Sequence, residues 1–267
     1  MKRQILFILT ILLLGGLLIS ACAQPAAPTE APAGGEDAPQ TGGGVVQVGT
    51  DATWPPFEYI DESTNEIVGF DIDLMKAVAE RAGLEVEFVN VGWDALLAGV
   101  APCQYDAAIS AMTITEERAK EFLFTEPYFA AGQVVSVRQE NTDINSKDDL
   151  AGKVVGAQIG TTGAIEVEKI EGATLRTYDD VGLAFQALLN GQIDAVVADN
   201  PLALAYVGQN EDQLKTVGEV FTEENYGIAV CKNRADLQAS LNEGLAAVKA
   251  EGLIEELQAK WLEGAVE

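Results

Sequence analysis

WDALLAGVAPCQYDAAISA (residues 93–111) and LAFQALLNGQIDAVVAD (residues 183–199) follow one plan. Each reads as a helix closing on Ala-Leu-Leu-x-Gly, then Asp-Ala and an apolar strand. A spacing of roughly 90 residues is far too long for a solenoid unit. The pair instead predicts two lobes of similar build, with the polar stretch Asn141–Lys147 as a connection near the end of the first.

Outward from this pair, strand-like and helix-like segments alternate. Strands are expected at 45–50, 84–91, 105–111, 131–138, 153–160, 174–178, 193–199 and 226–232. Asp71 is expected to cap a helix in which Ile72, Met75, Val78 and Ala79 recur at helical spacing, closed by Gly83. Further helices are expected at 93–100, from Thr115, after Gly160, at 180–191, from Pro201, and twice between Arg234 and Leu262. Such alternation argues for parallel α/β sheets.

The first 44 residues are different. Met1-Lys2-Arg3 precedes an apolar run from Ile5 to Ile19. That run is short of the roughly 20 residues a membrane span needs, and its flanks suit a signal peptide over 1–21. It closes on Ile-Ser-Ala-Cys22, which resembles the bacterial lipobox, cut before a cysteine that is then lipidated. Residues 22–44 are mostly Ala, Pro, Gly and acids, a composition that cannot bury a core and reads as a disordered tether. No second apolar run follows, so attachment to the membrane is expected through the lipid alone.

The net charge is −26, or −28 without Lys2 and Arg3. No basic patch is visible, which excludes a nucleic-acid partner. With no histidine in the chain, no metal cluster and no nucleophile–base pair, neither cofactor nor metal is expected.

In open parallel sheets ligands bind beyond the carboxyl ends of strands. Four expected ends carry unusual residues. Asp51, Trp54 and Phe57 follow the first, and Thr113 and Arg118 follow strand 105–111. Gly160, Thr161 and Thr162 follow strand 153–159, and Asp199 follows strand 193–198. Arg118 is out of place by local rules. Thr115 reads as an N-cap followed by Glu116 and Glu117, and a capping box would put Glu or Gln at 118. A cation there costs roughly 0.3–1 kcal/mol against the helix dipole. Its planar fork suits a carboxylate, and the amides at Thr161 and Thr162 open a helix in the other lobe, a second place for an anion. Asp199 could hold an ammonium, with the Thr113 hydroxyl beside it. Other roles stay open at this point: Arg118 could pair with Glu117, Glu121 or Glu126. Asp199 could cap the Pro201 helix, though Asn200 is better placed for that, and Trp54 and Trp93 could be core. An Arg and an Asp opposed between aromatic walls would receive a zwitterion, that is, an α-amino acid.

The segments GTDATWPPFEY, GFDIDLMKAVAERAG, WDALLAGV, YDAAISAMTITEERAKEFLFTEPYF, LAGKVVGAQIGTTG, DAVVADNP and YGIAV, in this order and spacing, resemble the polar amino-acid-binding proteins of bacterial ABC importers, solute-binding protein family 3. The resemblance runs from Val45 to Leu262. It implies an α/β, two-lobed periplasmic-binding-protein-like fold, each lobe a mostly parallel sheet flanked by helices. The lobes would be 45–130 with 226–267, and 131–225, joined by hinge segments near 128–133 and 222–227. It implies that Arg118 and the Thr161 amide take the α-carboxylate, with Thr162 beside them. Asp199, Thr113 and the Ala111 carbonyl, next to Ser110, would take the α-amine. Asp51, Trp54, Trp93 and Gln158 would surround the ligand side chain. Ala111 stands where Gly or Ser is usual, expected to be harmless if only its carbonyl is used. Ala198 precedes Asp199 where some members carry a polar residue that touches the ligand.

The same fold implies that Cys103 and Cys231 meet at one sheet end, away from the cleft, as a disulfide that an exported protein can keep. The side-chain residues offer acceptors (Asp51, Gln158, Glu58) and no second cation, which favours arginine, lysine or glutamine over glutamate. The implied partner is a membrane permease, served by a monomer that closes around its ligand. Two other readings share the fold: a dehydratase of cyclic acids, for which Asp51, Glu58 and Asp199 are the only candidate acids or bases, and a receptor's sensor domain, for which no output domain is visible.

Overall fold

The computed structural model describes residues 44–263. The expected signal peptide, lipidated Cys22 and all but the last residue of the expected tether lie outside them.

β1 (Val46–Thr50) leads into a small antiparallel sheet of β2 (Thr53–Trp54), β3 (Glu58–Ile60) and β4 (Ile67–Val68). Then come α1 (Phe70–Ala82), β5 (Val86–Asn90), α2 (Trp93–Val100), β6 (Ala107–Ala108), α3 (Arg118–Glu121) and β7 (Leu123–Phe124). β8 (Phe129–Ala131) leaves this group, and β9 (Gln133–Arg138), β10 (Val154–Gln158), α4 (Thr162–Glu168), β11 (Thr174–Tyr178), α5 (Val181–Leu189), β12 (Ala195–Asp199), α6 (Asn200–Gln209) and β13 (Leu214–Val217) form a second. β14 (Glu224–Tyr226) returns to the first, which β15 (Ala229–Val230), α7 (Ala235–Ala250) and α8 (Leu253–Gln258) complete.

Two five-stranded sheets result, ordered β5-β1-β6-β15-β7 and β11-β10-β12-β9-β13. In each, three parallel strands place the first between the second and third, and antiparallel pairings add the other two. The two segments that echo each other in sequence, α2–β6 and α5–β12, occupy equivalent places. β8 and β14 pair antiparallel, Phe129 opposite Tyr226 and Ala131 opposite Glu224, so the two crossings between the sheets form one ribbon.

The three central strands of the second sheet, β10, β12 and β9, are largely apolar at successive positions because both faces are covered. Val134 and Val196 turn to the side of Phe185, Leu188 and Leu202. Their neighbours Val135 and Val197 turn to Val155, Val167 and Leu150 on the other. In the first lobe Met75 and Val78 of α1 share a buried cluster with Leu241, Leu245 and Val248 of α7.

Several elements differ from expectation. Residues 105–111 pair as a strand only at Ala107–Ala108, because the chain then turns at Ala111, a non-glycine residue at φ 45°. The expected strand 131–138 is broken at Gly132. Asp71 does not cap α1, which starts at Phe70 after Gly69. Its carboxylate points inward, with Oδ2 accepting from the Ala111 amide (2.7 Å) and the Tyr128 hydroxyl (2.7 Å). Cys103 and Cys231 form a disulfide with Cα atoms 5.1 Å apart. Val230 pairs with Ala107 at the amino end of β6, so the bond lies at the sheet end opposite Ser110 and Ala111.

Candidate functional site

The order second–first–third puts a switch point beside β1 in one sheet and beside β10 in the other. Crevices open there, beyond the strand carboxyl ends. β1 runs into Asp51 and β6 into Ser110–Ala111; β10 runs into Gly160–Thr161, and β12 ends on Asp199. The crevices face each other around one shared cavity. Asp51, Trp54, Trp93, Ser110, Ala111, Thr113 and Arg118 line it from one lobe, and Thr161, Thr162 and Asp199 from the other. Gln158 stands behind this lining, its amide donating to Asp51 Oδ2 (3.0 Å) and to the Asp179 carbonyl (3.0 Å).

Arg118 is held by the turn that its sequence announces. The Thr115 hydroxyl accepts from the Arg118 amide (3.1 Å), as an N-cap does, although the regular helix is only four residues long. The guanidinium donates to the Thr113 carbonyl (2.8 Å) and, across the cleft, to the Gly160 carbonyl (3.2 Å). It lies over the Trp93 ring, 5.0 Å from the centroid. Its bonds go to carbonyls and not to Glu117, Glu121 or Glu126. Burial pulls its pKa down to about 10, against the attraction of Asp199 and Glu224, so it stays cationic at neutral pH.

Asp199 occupies the N-cap position of α6 but does not cap it. Oδ1 accepts from Gln133 Nε2 (2.7 Å) and Oδ2 from the Tyr226 hydroxyl. Nor does Asn200 cap the helix: it is the first helical residue, and its Oδ1 accepts from the Gly132 amide in the ribbon (3.0 Å). Burial, and then the neighbouring Glu224, push Asp199 up to about 6.

Thr161 caps α4, its Oγ1 accepting from the Ala164 amide (3.3 Å). α4 has only seven residues, so its dipole is small, and its contribution is the first-turn amides. Trp54 and Trp93 turn out to be both wall and core, at 8% and 6% exposure. Phe57 is no part of the cavity: it is fully buried among Phe70, Phe129 and Tyr226. Glu58 is also behind the lining, fully buried and accepting from the Ser110 hydroxyl (2.8 Å). Burial and the nearby Asp71 push it well above the usual carboxylate range. Ala111 is not free of cost, since a left-handed non-glycine residue is strained by about 1–2 kcal/mol. The Asp71 carboxylate on its amide holds it there.

Two residues that sequence reasoning missed knit the site together. Gln133 in β9 donates through Nε2 to Asp199 (2.7 Å), and its second proton is shared between Thr162 Oγ1 (3.1 Å) and Glu224 Oε1 (3.1 Å). Glu224 in β14 accepts from threonines of both lobes. The signals were a lone Gln in an apolar strand and an acid beside the YGIAV segment.

Two α/β lobes with an opposed cation and anion over a shared cavity define a protein that encloses a small solute. The chain belongs to the bacterial extracellular solute-binding proteins, family 3, whose model matches residues 46–264. Among its relatives, the ABC transporter arginine-binding protein 1 of Escherichia coli (strain K12) is 38% identical over 223 residues, covering 81% of this chain and 90% of that protein. The L-cystine-binding protein TcyJ of the same strain is 32% identical over 220 residues, 82% of each. An ancestral arginine-binding protein, solved with arginine, superposes with a TM-score of 0.78 at 44% identity, over 82% of this chain and 98% of that one. It has also been solved with glutamine. These are binding proteins and not enzymes, and the dehydratase reading is set aside.

Proposed function

We propose that this chain is the extracytoplasmic binding lipoprotein of an ABC amino-acid importer, trapping a polar L-amino acid, cationic or amide-bearing, and delivering it to a permease as a monomer. The moving bodies would be 45–130 with 226–267, and 131–225, turning about the β8–β14 ribbon. The observation that carries this reading is that Arg118 and Asp199 reach one cavity from opposite lobes. Arg118 and the amides of Thr161 and Thr162 take the α-carboxylate. Asp199, the Thr113 hydroxyl and the Ala111 carbonyl take the α-ammonium.

The side-chain end holds Asp51, whose carboxyl burial pushes up, and Gln158, whose Oε1 has no partner among the described residues. Asp51 is an acceptor suited to N–H groups of a guanidinium, ammonium or amide, and Gln158 orients it from behind the lining. A buried glutamate side chain would meet Asp51 without a cation. The indole N–H groups of Trp54 and Trp93 are unpaired too, which an amide carbonyl would satisfy. Arg118 already covers one face of Trp93, leaving Trp54 as the face for a ligand guanidinium. The arginine and glutamine complexes of the ancestral protein support the same pair of ligand classes.

Competition binding tests the assignment. Arginine, lysine or glutamine is expected to bind more tightly than glutamate and leucine, and the reverse order sinks the side-chain reading. Arg118→Ala should lose about 2–5 kcal/mol of binding while still folding. Lipidation at Cys22 is supported by the Ile-Ser-Ala-Cys sequence alone. A Cys22→Ser variant should leave the membrane fraction, and a variant that stays there refutes the anchor.

A further inference from the structure

Glu224 lies in the ribbon and does not line the cavity, yet it is buried, at 8% exposure, directly behind it. Its Oε2 accepts from Thr113 Oγ1 (2.6 Å) and from Thr162 Oγ1 (2.9 Å), one threonine from each lobe. Its Oε1 accepts from Gln133 Nε2 (3.1 Å) and Thr222 Oγ1 (2.9 Å). A hydroxyl has one proton and two lone pairs, and a carboxylate only accepts. Glu224 therefore takes the single proton of each threonine. Thr162 Oγ1 also shares the second Gln133 proton with Glu224 Oε1, so part of its accepting capacity is taken as well. Thr113 has only lone pairs to turn toward the cavity.

We propose that Glu224 is a specificity-determining positioning residue: by claiming the Thr113 proton it makes that hydroxyl an obligate acceptor, so the site takes an α-ammonium and rejects an α-hydroxyl. This rests on the amino-acid reading of the cavity. An ammonium offers three donors, matching Asp199, Thr113 Oγ1 and the Ala111 carbonyl, all acceptors. An α-hydroxy acid offers one donor, and its own lone pairs would face acceptors with no proton between them. Such unmatched polar contacts discriminate strongly in a desolvated site.

Glu224→Gln reverses the arrangement. Gln133 Nε2 can only donate, so the new amide must turn its oxygen toward Gln133 and its NH₂ toward Thr113 and Thr162. Both hydroxyls are then free to donate into the cavity. Glu224→Asp is the second variant: it keeps the charge but withdraws the carboxylate from the threonines by one methylene.

The test is calorimetry with L-arginine and L-glutamine and with the α-hydroxy analogue of each, on wild type, both Glu224 variants, Thr113→Val, and Thr113→Val combined with Glu224→Gln. Wild type is expected to prefer the amino acid. Both Glu224 variants should narrow that preference by about tenfold, with the hydroxy analogue bound more tightly than by wild type, a gain that loosened structure would not give. In the Thr113→Val background the narrowing should vanish. An unchanged preference in the Glu224 variants overturns the proposal, as does a narrowing that persists without the Thr113 hydroxyl, which would be an effect of charge alone. Wild-type protein that binds neither amino acid overturns the reading of the cavity itself and this proposal with it, an outcome visible before any variant is made.

Discussion

At the scale of single residues, Asp199 is the group whose behaviour most directly reports the site. Burial, and then Glu224, hold its folded pKa at about 6, above an aspartate's ordinary 3.8. A raised acid contributes stability that is fully present below the unfolded pKa and is lost as pH rises through the folded one. At this residue the ligand-free protein should therefore gain stability as pH falls from 7 toward 4. Asp71, pushed to about 7 by burial, acts with the same sign. Ligand affinity should move the other way, because an ammonium needs the ionised carboxylate, and so should weaken below about pH 6. Thermal melts of wild type against Asp199→Asn isolate the first effect, and titrations at several pH values read the second. Affinity that stays flat down to pH 5 would remove Asp199 from the ammonium position. The residues of this pole differ in how legible they were. Arg118, Thr161 and Asp199 each break a local pattern at a strand end, so sequence alone marks them. Glu224 stands beside the exposed Glu223, and nothing in two adjacent acids says which one is buried. Asp71 was misread for a similar reason: an acid near a helix start serves the helix in most contexts, and here it serves the turn at Ala111.

At the scale of elements, the β8–β14 ribbon carries both crossings and places Gln133, Glu224 and Tyr226 against the cavity residues. Gly132 interrupts the expected strand 131–138 for a steric reason. A Cβ there would stand 2.1 Å from the Thr222 carbonyl oxygen, which belongs to the other crossing. Gly132→Ala must push the crossings apart and is expected to destabilise the protein by about 1–3 kcal/mol. Ligand affinity should fall with it, because Glu224 moves with the ribbon. A denaturant melt and a titration check both, and an alanine tolerated without loss would mean the ribbon is slack. The alternation of strands and helices was legible from periodicity. Strand direction was not, since the apolar runs of β9 and β15 read alike whether they join a sheet parallel or antiparallel. The length of β6 was not legible either, because the turn that ends it is held by Asp71, distant in sequence.

At the scale of the whole molecule, the Cys103–Cys231 bond closes a span of 128 residues. Replacing both cysteines with serine should cost about 2–5 kcal/mol of stability, since the unfolded chain regains the freedom of that loop. Binding should change little, as the bond lies at the sheet end remote from the cavity; a large loss of affinity would show that the two ends of the first sheet are coupled. The place of β15 has a further consequence, in the order of events as the chain folds. The second sheet is drawn entirely from residues 133–217, an uninterrupted stretch. The first sheet needs β15, from residues 229–230, between β6 and β7. A chain that emerges amino end first can thus finish the second sheet while β6 and β7 still have unpaired edges, a state open to wrong pairing. Until β15 arrives, Cys103 has no partner, and the lobe that starts first is the last to be sealed.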